Sequence, residues 1–199
     1  MSAVGTQLDK QKEEKKSNIL ASAFELFLQK GIGKTSIDDI VQKANVAKGT
    51  FYLYFKDKTD ILQKLVYQTS RRVLSEAYEA TRAQDTGDFV ENVILLADYV
   101  VEYFKKNKLV LKLMERNFSW PLLEKEMVRS QDSLWNQLQE QIRMSPLAQK
   151  YTPDEIFKLI FVLIEMCGSV CYSSIIEEKP DTIDHMKPVL YSIIRKSLS

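Results

Sequence analysis

Apolar residues recur at helical spacing along most of the chain, and the strand-like alternation that turn residues would bound is absent. In the first such segment, residues 17–30, the apolar positions form one broad helical face. These positions are Ile19, Leu20, Ala23, Phe24, Phe27 and Leu28. Gly31 follows, where the end of a helix favours a residue of positive φ. The pattern predicts an all-α protein whose first helix supports a small N-terminal head.

The stretch 35–58 predicts two short helices joined by a tight turn. Ser36 stands just before the periodic apolar residues and Asp39 follows three positions later, which is the arrangement of a capping box. The first helix should end at residues 44–46, because Asn45 enters a left-handed turn at little cost. A second helix resumes from Ala47. Together the two helices form a helix-turn-helix, whose second helix has the size to enter the DNA major groove.

The residues of this stretch resemble the DNA-binding signature of the tetracycline-repressor-like (TetR) family of transcriptional regulators. The matching residues are Thr35, Ser36, Ile40, residues 44–55 and Lys58. The resemblance covers about residues 15–65. The usual pattern has Gly where this chain has Asn45, and Ser or Thr where it has Ala47. Asn45 preserves the turn, whereas Ala47 lacks a hydroxyl that would cap the second helix or contact phosphate.

The outward face of the second helix supplies the candidate DNA contacts. Lys48 can reach guanine O6 and N7 or a phosphate, Gly49 lets the helix approach closely, and Tyr52 can meet a thymine methyl group. The other predicted DNA-binding residues, mostly expected at phosphates, are Thr35, Ser36, Thr50, Tyr54 and Lys58. Phe51 and Phe55 point towards the first helix and are predicted core residues.

Three regions follow from the pattern. Residues 1–14 are polar and charged and are predicted to be a flexible arm, residues 15–60 form the DNA-binding domain, and residues 61–199 form an effector-binding and dimerisation domain. A connecting helix should run from about residue 57 to residue 80. One long polar helix is predicted over residues 122–144.

A helix that begins after Thr152 is apolar on nearly every side, and an amphipathic helix ends the chain. One chain of this size rarely encloses a helix on all faces, so part of this surface should meet a second copy. Lys158 and Glu165 interrupt the apolar stretch, which disfavours a membrane span. The predicted dimer contacts, in a four-helix bundle about a two-fold axis, are Ile160, Leu163, Cys167, Val170, Val189 and Ile193.

Aromatic and thioether side chains concentrate in the C-terminal half, as in apolar pockets between helices. Each of them also fits an ordinary core position. The candidate effector-binding residues are Tyr99, Tyr103, Met114, Phe118, Trp120, Trp135, Phe161 and Glu165. Glu115, Arg116 and Asn117 are further polar candidates.

Composition argues against an enzyme. His185 is the only histidine, no phosphate-binding glycine loop occurs, and Cys167 and Cys171 lack partners for a metal site. We therefore predict no catalytic residue, no metal and no cofactor. The cysteines lie four apart on one helix and should stay reduced, and residues 1–16 contain no apolar run for a signal peptide, so a cytoplasmic location is expected.

The net charge of +1 argues against DNA binding by bulk charge but permits a local basic surface. We therefore predict a homodimer that recognises a palindromic operator in double-stranded DNA. The resemblance implies a repressor released by a small apolar or amphipathic effector. The alternatives are a helical dimer that binds small molecules without regulating DNA, and a purely structural dimer.

Overall fold

The computed structural model describes residues 3–115 and 117–199, and this part of the chain is helical with no strand. The predicted all-α fold is confirmed. The helices are α1 (Ala3–Lys30), α2 (Ile37–Lys43), α3 (Lys48–Tyr54), α4 (Lys58–Ala83), α5 (Phe89–Lys106), α6 (Lys108–Glu115), α7 (Trp120–Arg129), α8 (Ser133–Met144), α9 (Leu147–Lys150), α10 (Pro153–Tyr172) and α11 (Ile183–Leu198). A π-helical turn, Ser173–Glu177, extends α10.

The chain divides into two compact units, Met1–Gln68 and Thr69–Ser199. The boundary lies eight residues later than the predicted one, because α4 is continuous and gives no break in the sequence pattern. Helix α1 also begins earlier than predicted, at Ala3, so residues 3–14 are helical rather than a flexible arm. Acidic and basic residues pair along that segment at i,i+3 spacing, as in the ion pair of Asp9 with Lys12. Such a segment has no apolar face, so periodicity does not reveal it.

The N-terminal unit builds its own core from α1, α2, α3 and the start of α4. Helices α1, α2 and α3 contact one another. The most buried side chains are Ile19, Ala23, Ile40, Phe51, Phe55 and Ile61. Asn45 has φ of 53° in the turn between α2 and α3, and Gly31 has φ of 81° after α1, as the sequence predicts. The capping box of Ser36 and Asp39 is present at the start of α2.

The C-terminal unit is organised around α10, which contacts α5, α6, α7, α9 and α11. Its apolar core includes Val101, Leu147, Leu190 and Ile194. Ion pairs also join α5 to α11: Lys187 bridges two carboxylates of α5, and Arg195 Nε lies 2.8 Å from Glu91 Oε1.

The predicted long helix of residues 122–144 is wrong, since the chain breaks into α7 and α8. Gln131 takes a left-handed conformation with φ of 51°. Asp132 then caps α8 by accepting a hydrogen bond of 3.0 Å from the backbone N–H of Leu134. The same carboxylate is buried and forms an ion pair with Arg71 of α4, whose Nη2 lies 3.0 Å from Oδ1. A partner 61 residues away thus fixes a break that local propensity does not show.

Helix α10 and its extension, Pro153–Glu177, are long and apolar enough to span a membrane by length and composition, with a mean hydropathy of 2.0 in the most apolar window. In residues 3–115 and 117–199 no second segment meets that criterion. Only 17% of the window is buried within the chain. Much of the apolar surface of α10 therefore remains uncovered by its own unit.

The ion pair between Asp132 and Arg71 leads to a prediction about stability. Asp132→Asn retains a capping oxygen but loses the charge, so it should lower the free energy of unfolding at neutral pH by about 1–3 kcal/mol. The hydrogen bond from Arg71 lowers the pKa of Asp132. A lowered pKa gives stability that is present above the unfolded-state pKa and is lost as the pH falls through the folded-state pKa.

The difference between the two proteins should therefore shrink when urea unfolding is repeated below the usual pKa of an aspartate. Glu126→Gln, which removes a carboxylate from an exposed i,i+3 pair with Arg129, is the control and should change stability little. A deficit of Asp132→Asn that is equal at both pH values would contradict the ion-pair explanation.

Candidate DNA-binding surface and ligand cavity

Burial of Phe51 sets the rotation of α3. Its side chain is fully buried, and the residues on the far side of the helix are exposed. These exposed residues include the predicted contacts Lys48, Gly49 and Tyr52, together with Leu53. The helix therefore presents a short surface of mixed chemistry away from the core of the N-terminal unit.

Lys48 is held by Asp38 of α2. Its Nζ lies 2.8 Å from one carboxylate oxygen and 3.0 Å from the other. This hydrogen bond raises the pKa of Lys48, so the ammonium group stays charged. Both side chains are exposed, and an exposed pair of this kind is weak. Lys48 can therefore leave Asp38 for a stronger acceptor.

Thr35 and Lys58 have structural partners in place of the predicted exposure to DNA. The side chain of Thr35 is 2% exposed, and its hydroxyl donates to the carbonyl of Gly31 at 2.8 Å. Lys58 Nζ donates to the carbonyls of Ile32 and Thr35 at 2.7 and 3.0 Å. Both side chains hold the loop between α1 and α2, with Thr35 buried and Lys58 half-buried.

The remaining predicted phosphate contacts differ in accessibility. Ser36 is exposed, but its hydroxyl is engaged in the cap with Asp39. The hydrogen bond from Lys30 is the largest cause that holds the pKa of Asp39 well below its usual range, so the cap stays ionised. Thr50 and Tyr54 are half-buried along the sides of α3.

Three exposed residues near α3 were missed by the sequence reasoning. Lys34 and Lys56 are exposed and form no ion pair within the described ranges 3–115 and 117–199. Leu53 is the third. Their positions in the sequence could have indicated the two lysines, since Lys34 precedes Thr35 and Lys56 follows Phe55, both residues of the DNA-binding signature.

A cavity of about 1460 Å³ lies within the C-terminal unit, between α4, α5, α7, α8 and α10. It exceeds the usual 300–1,000 Å³ of a small-molecule pocket. Five of the eight predicted effector residues line it: Met114, Phe118, Trp120, Trp135 and Glu165. The ring centroids of Trp120 and Trp135 are 6.2 Å apart, so they form an aromatic section of the wall.

The other three predicted effector residues lie outside the cavity lining. Tyr103 accepts a hydrogen bond of 2.8 Å from Arg72, and Tyr99 donates one of 3.4 Å to Glu76. Both tyrosines therefore tie α5 to α4. Phe161 is exposed on α10.

The three additional polar candidates also differ. Glu115 lines the cavity. Asn117 donates to the carbonyl of Leu113 at 2.7 Å, so its side chain serves the end of α6. Arg116 lies outside the described residues.

Carboxylates outnumber cations among the described residues that line the cavity. Six side chains are acidic, namely Asp85, Glu115, Glu124, Glu140, Glu165 and Glu177, and two are basic, namely Arg82 and Arg143. Arg143 pairs with Glu140. Glu124 forms no ion pair within the described residues, and burial raises its pKa. The lining therefore disfavours an anionic group close to Glu124.

The nucleophilic and metal-binding side chains show no activated arrangement. Burial raises the pKa of Cys167 to about 11 and that of Cys171 to about 12, so both thiols stay protonated. His185 is exposed beside Asp181. In the part of the chain that the structure describes, no three His, Cys, Asp or Glu residues cluster as metal ligands.

Comparison with known proteins agrees with the geometry of the head. Residues 19–65 match the family model of bacterial regulatory proteins of the tetR family. The chain is 47% identical over 55 residues to the HTH-type transcriptional regulator YvdT of Bacillus subtilis, covering 28% of each chain. It is 30% identical over 104 residues to the regulator YhgD of the same organism, covering 52% of this chain and 53% of that one. These matches span at most about half of the curated relatives.

Solved structures extend the likeness of fold to nearly the whole chain. A TetR-family regulator from Syntrophomonas wolfei has a TM-score of 0.66 at 23% identity, covering 94% of this chain and 96% of that one. FadR from Bacillus subtilis, solved in complex with stearoyl-CoA, has a TM-score of 0.60 at 16% identity, covering 92% and 100%.

Residues 19–65 match the N-terminal domain of the TetR family. The matched residues contain the whole helix-turn-helix, and the resemblance seen in the sequence is confirmed. The fold of a helical DNA-binding head followed by a helical C-terminal domain is confirmed as well. The relatives are named as regulators, in agreement with the prediction that the chain is not an enzyme.

Proposed function

We propose that the protein is a dimeric, sequence-specific DNA-binding transcriptional regulator. Its proposed action is that of a repressor, which a small apolar or amphipathic effector releases from a palindromic operator in the cytoplasm. One observation carries the proposal. In a head that matches the TetR family, the buried Phe51 turns Lys48, Gly49 and Tyr52 outwards on a helix sized for the major groove.

The uncovered apolar surface of α10 and α11 supports dimerisation. Val162, Val189 and Ile193 are exposed by 58%, 54% and 43% of their surface. Of the predicted dimer contacts, Val189 and Ile193 are thus exposed, and the other four are half-buried, namely Ile160, Leu163, Cys167 and Val170. A second copy that covered this surface would remove it from water and build a four-helix bundle. Such a subunit contact would explain the apolar surface of α10 without requiring that the helix span a membrane.

A two-fold dimer carries two recognition helices. Such a dimer reads two half-sites related by the same two-fold axis, so the operator is a palindrome or close to one. Half-sites one helical turn apart would require the two α3 helices to lie about 34–36 Å apart, or farther where the half-sites are spread.

The cavity of the C-terminal unit supports binding of an effector with a long apolar part. Its lining is mainly apolar, with aromatic side chains such as Trp120 and Trp135. FadR from Bacillus subtilis, which shares the fold, was solved with stearoyl-CoA, a ligand with a long acyl chain. The excess of acidic over basic side chains in the lining does not suit an anionic head group. The cavity of this chain therefore favours an amphiphile with a neutral or cationic head group.

Helix α4 supports coupling between effector and DNA. It begins at Lys58 in the N-terminal unit, and its later residues Ser70, Val73 and Leu74 line the cavity. An effector that prefers one of two positions of α4 would shift the population towards that position. DNA affinity would fall by the ratio of effector affinities for the two states.

The alternative is a helical dimer that binds small molecules without regulating DNA. It would require the outward surface of α3 to be incidental. Titration with duplexes of different sequence at several salt concentrations separates the two cases. A specific regulator keeps a preferred sequence while its affinity falls with salt, whereas the alternative shows no preference.

Lys48 provides a test of the DNA surface. Lys48→Ala should weaken binding to a duplex selected from a random library by roughly 5- to 150-fold, because the base or phosphate contact is lost. Gel-shift titration measures the change. Lys179→Ala removes an exposed lysine of the C-terminal unit and should leave the affinity unchanged. Wild-type affinity of Lys48→Ala would dismiss the contact.

Ile193 provides a test of the interface. Ile193→Glu places a charge in the proposed contact of α11, so sedimentation-velocity centrifugation should show monomers at concentrations where the wild type is a dimer. Met144→Glu alters an apolar residue of α8 that is even more exposed and should leave the dimer intact. If Ile193→Glu sediments as a dimer, the interface lies elsewhere.

Chain-matched amphiphiles test the cavity. Quenching of Trp120 and Trp135 fluorescence should report tighter binding of dodecyltrimethylammonium and dodecanol than of dodecanoate, since the lining repels a carboxylate. Glu124→Gln should narrow that difference by removing a carboxyl group of the lining that forms no ion pair within the described residues. Glu126→Gln alters a carboxylate of the same helix outside the lining and is the control. Equal affinity for the three amphiphiles would contradict the proposed head-group preference.

A further inference from the structure

Leu53 lies on the outer face of α3, one residue before the helix ends at Tyr54. Successive residues of an α-helix are about 100° apart, which places Leu53 roughly 200° around the helix from the buried Phe51. Its side chain is 78% exposed, a larger fraction than for any other large apolar side chain of the described residues, with Met144 next at 72%. Gly49, four residues earlier, lies on the same row of the helix surface.

The fold of the head does not account for these two residues. A single exposed leucine is common on protein surfaces, but this one contributes nothing to the core that α3 serves. A Cβ added to Gly49 would meet no atom within 4 Å, so packing does not require glycine there. Glycine in a helix costs about 1 kcal/mol relative to alanine. Together the residues form an open notch beside an apolar projection on the surface that faces away from the core.

The neighbouring side chains leave little capacity for hydrogen-bonded reading of bases. On the outward face, Lys48 shares its charge with Asp38, and Tyr52 brings one hydroxyl. Lys48 is the one residue of Lys48–Tyr54 that can read a base by paired hydrogen bonds, since the helix contains no Arg, Asn or Gln. In the major groove the apolar group that a base pair offers is the C5 methyl group of thymine. An apolar projection on the outer face of the helix fits that group.

We propose that Leu53 packs against the C5 methyl group of one thymine in each half-site, and that Gly49 gives the helix the room to approach it. The inference rests on the proposed function and adds the base that this helix selects. It makes Leu53 a specificity-determining residue, in place of Tyr52 as the reader of thymine.

The test replaces thymine by deoxyuridine, a change that removes only the methyl group. Duplexes are first selected from a random library with the full-length protein, and each thymine of the selected sequence is then replaced in turn. One thymine position per half-site should weaken wild-type binding by about three- to fivefold when it is replaced, the loss expected for one buried methyl group. Leu53→Ala removes the contact from both half-sites, so it should bind the thymine duplex about as weakly as the wild type binds a duplex replaced in both half-sites. It should show no further loss on the deoxyuridine duplex.

Controls separate the possible failures. Met144→Ala changes the other highly exposed apolar side chain and should keep the full discrimination. Thermal unfolding of Leu53→Ala should match the wild type because the side chain is exposed. Two results would overturn the inference while DNA binding stands. In the first, Leu53→Ala still prefers the thymine duplex to the deoxyuridine duplex, whereas Tyr52→Ala does not. In the second, Leu53→Ala weakens binding to both duplexes by the same factor. If the library yields no preferred sequence, the proposed function fails together with the inference.

Discussion

Burial of Phe51 and Phe55 is the constraint on which the head depends. Their ring centroids are 5.5 Å apart, and both side chains are almost fully enclosed. Because Phe51 lies in the middle of a seven-residue helix, its burial fixes the rotation of α3 and hence the residues that face outwards. The turn at Asn45 sets the direction of the α3 axis, and the buried aromatic pair sets the rotation of α3 about that axis. Any surface chemistry of α3 follows from these two.

A different constraint applies to the C-terminal unit, because this unit buries only part of the apolar surface of α10. One side of it packs against the core, and the remainder stays exposed with Val189 and Ile193 of α11. The cavity lies beside the same helix, which lines it with Ile160, Leu163 and Glu165. An effector and a second subunit would therefore both contact α10, so a change in the packing of α10 would alter both contacts.

Features set by residues close together in the sequence could be predicted, and features set by residues far apart in the sequence could not. The helix-turn-helix was readable because its signals are local: the cap of Ser36, the left-handed Asn45 and the buried Phe51. The break before Asp132 was not readable, because its partner Arg71 lies 61 residues away. The hydrogen bond from Lys58 to the carbonyl of Ile32 was not readable for the same reason, since the two residues are 26 positions apart. The cavity arises from several helices, so the sequence indicated its residue types but not which aromatic side chains line it.

Three lysines of the head pair with neighbouring carboxylates, whereas Lys34 and Lys56 form no ion pair within the described residues. Lys30 pairs with Asp39, Lys43 with Glu25 and Lys48 with Asp38, at 2.8 Å in each pair. Attraction to random DNA grows with the number of phosphates that a protein neutralises. A head in which some of the cations are already paired gains less from an arbitrary stretch of chromosome. Bulk genomic DNA would then sequester few molecules, and a modest number of copies per cell would suffice to keep one site filled.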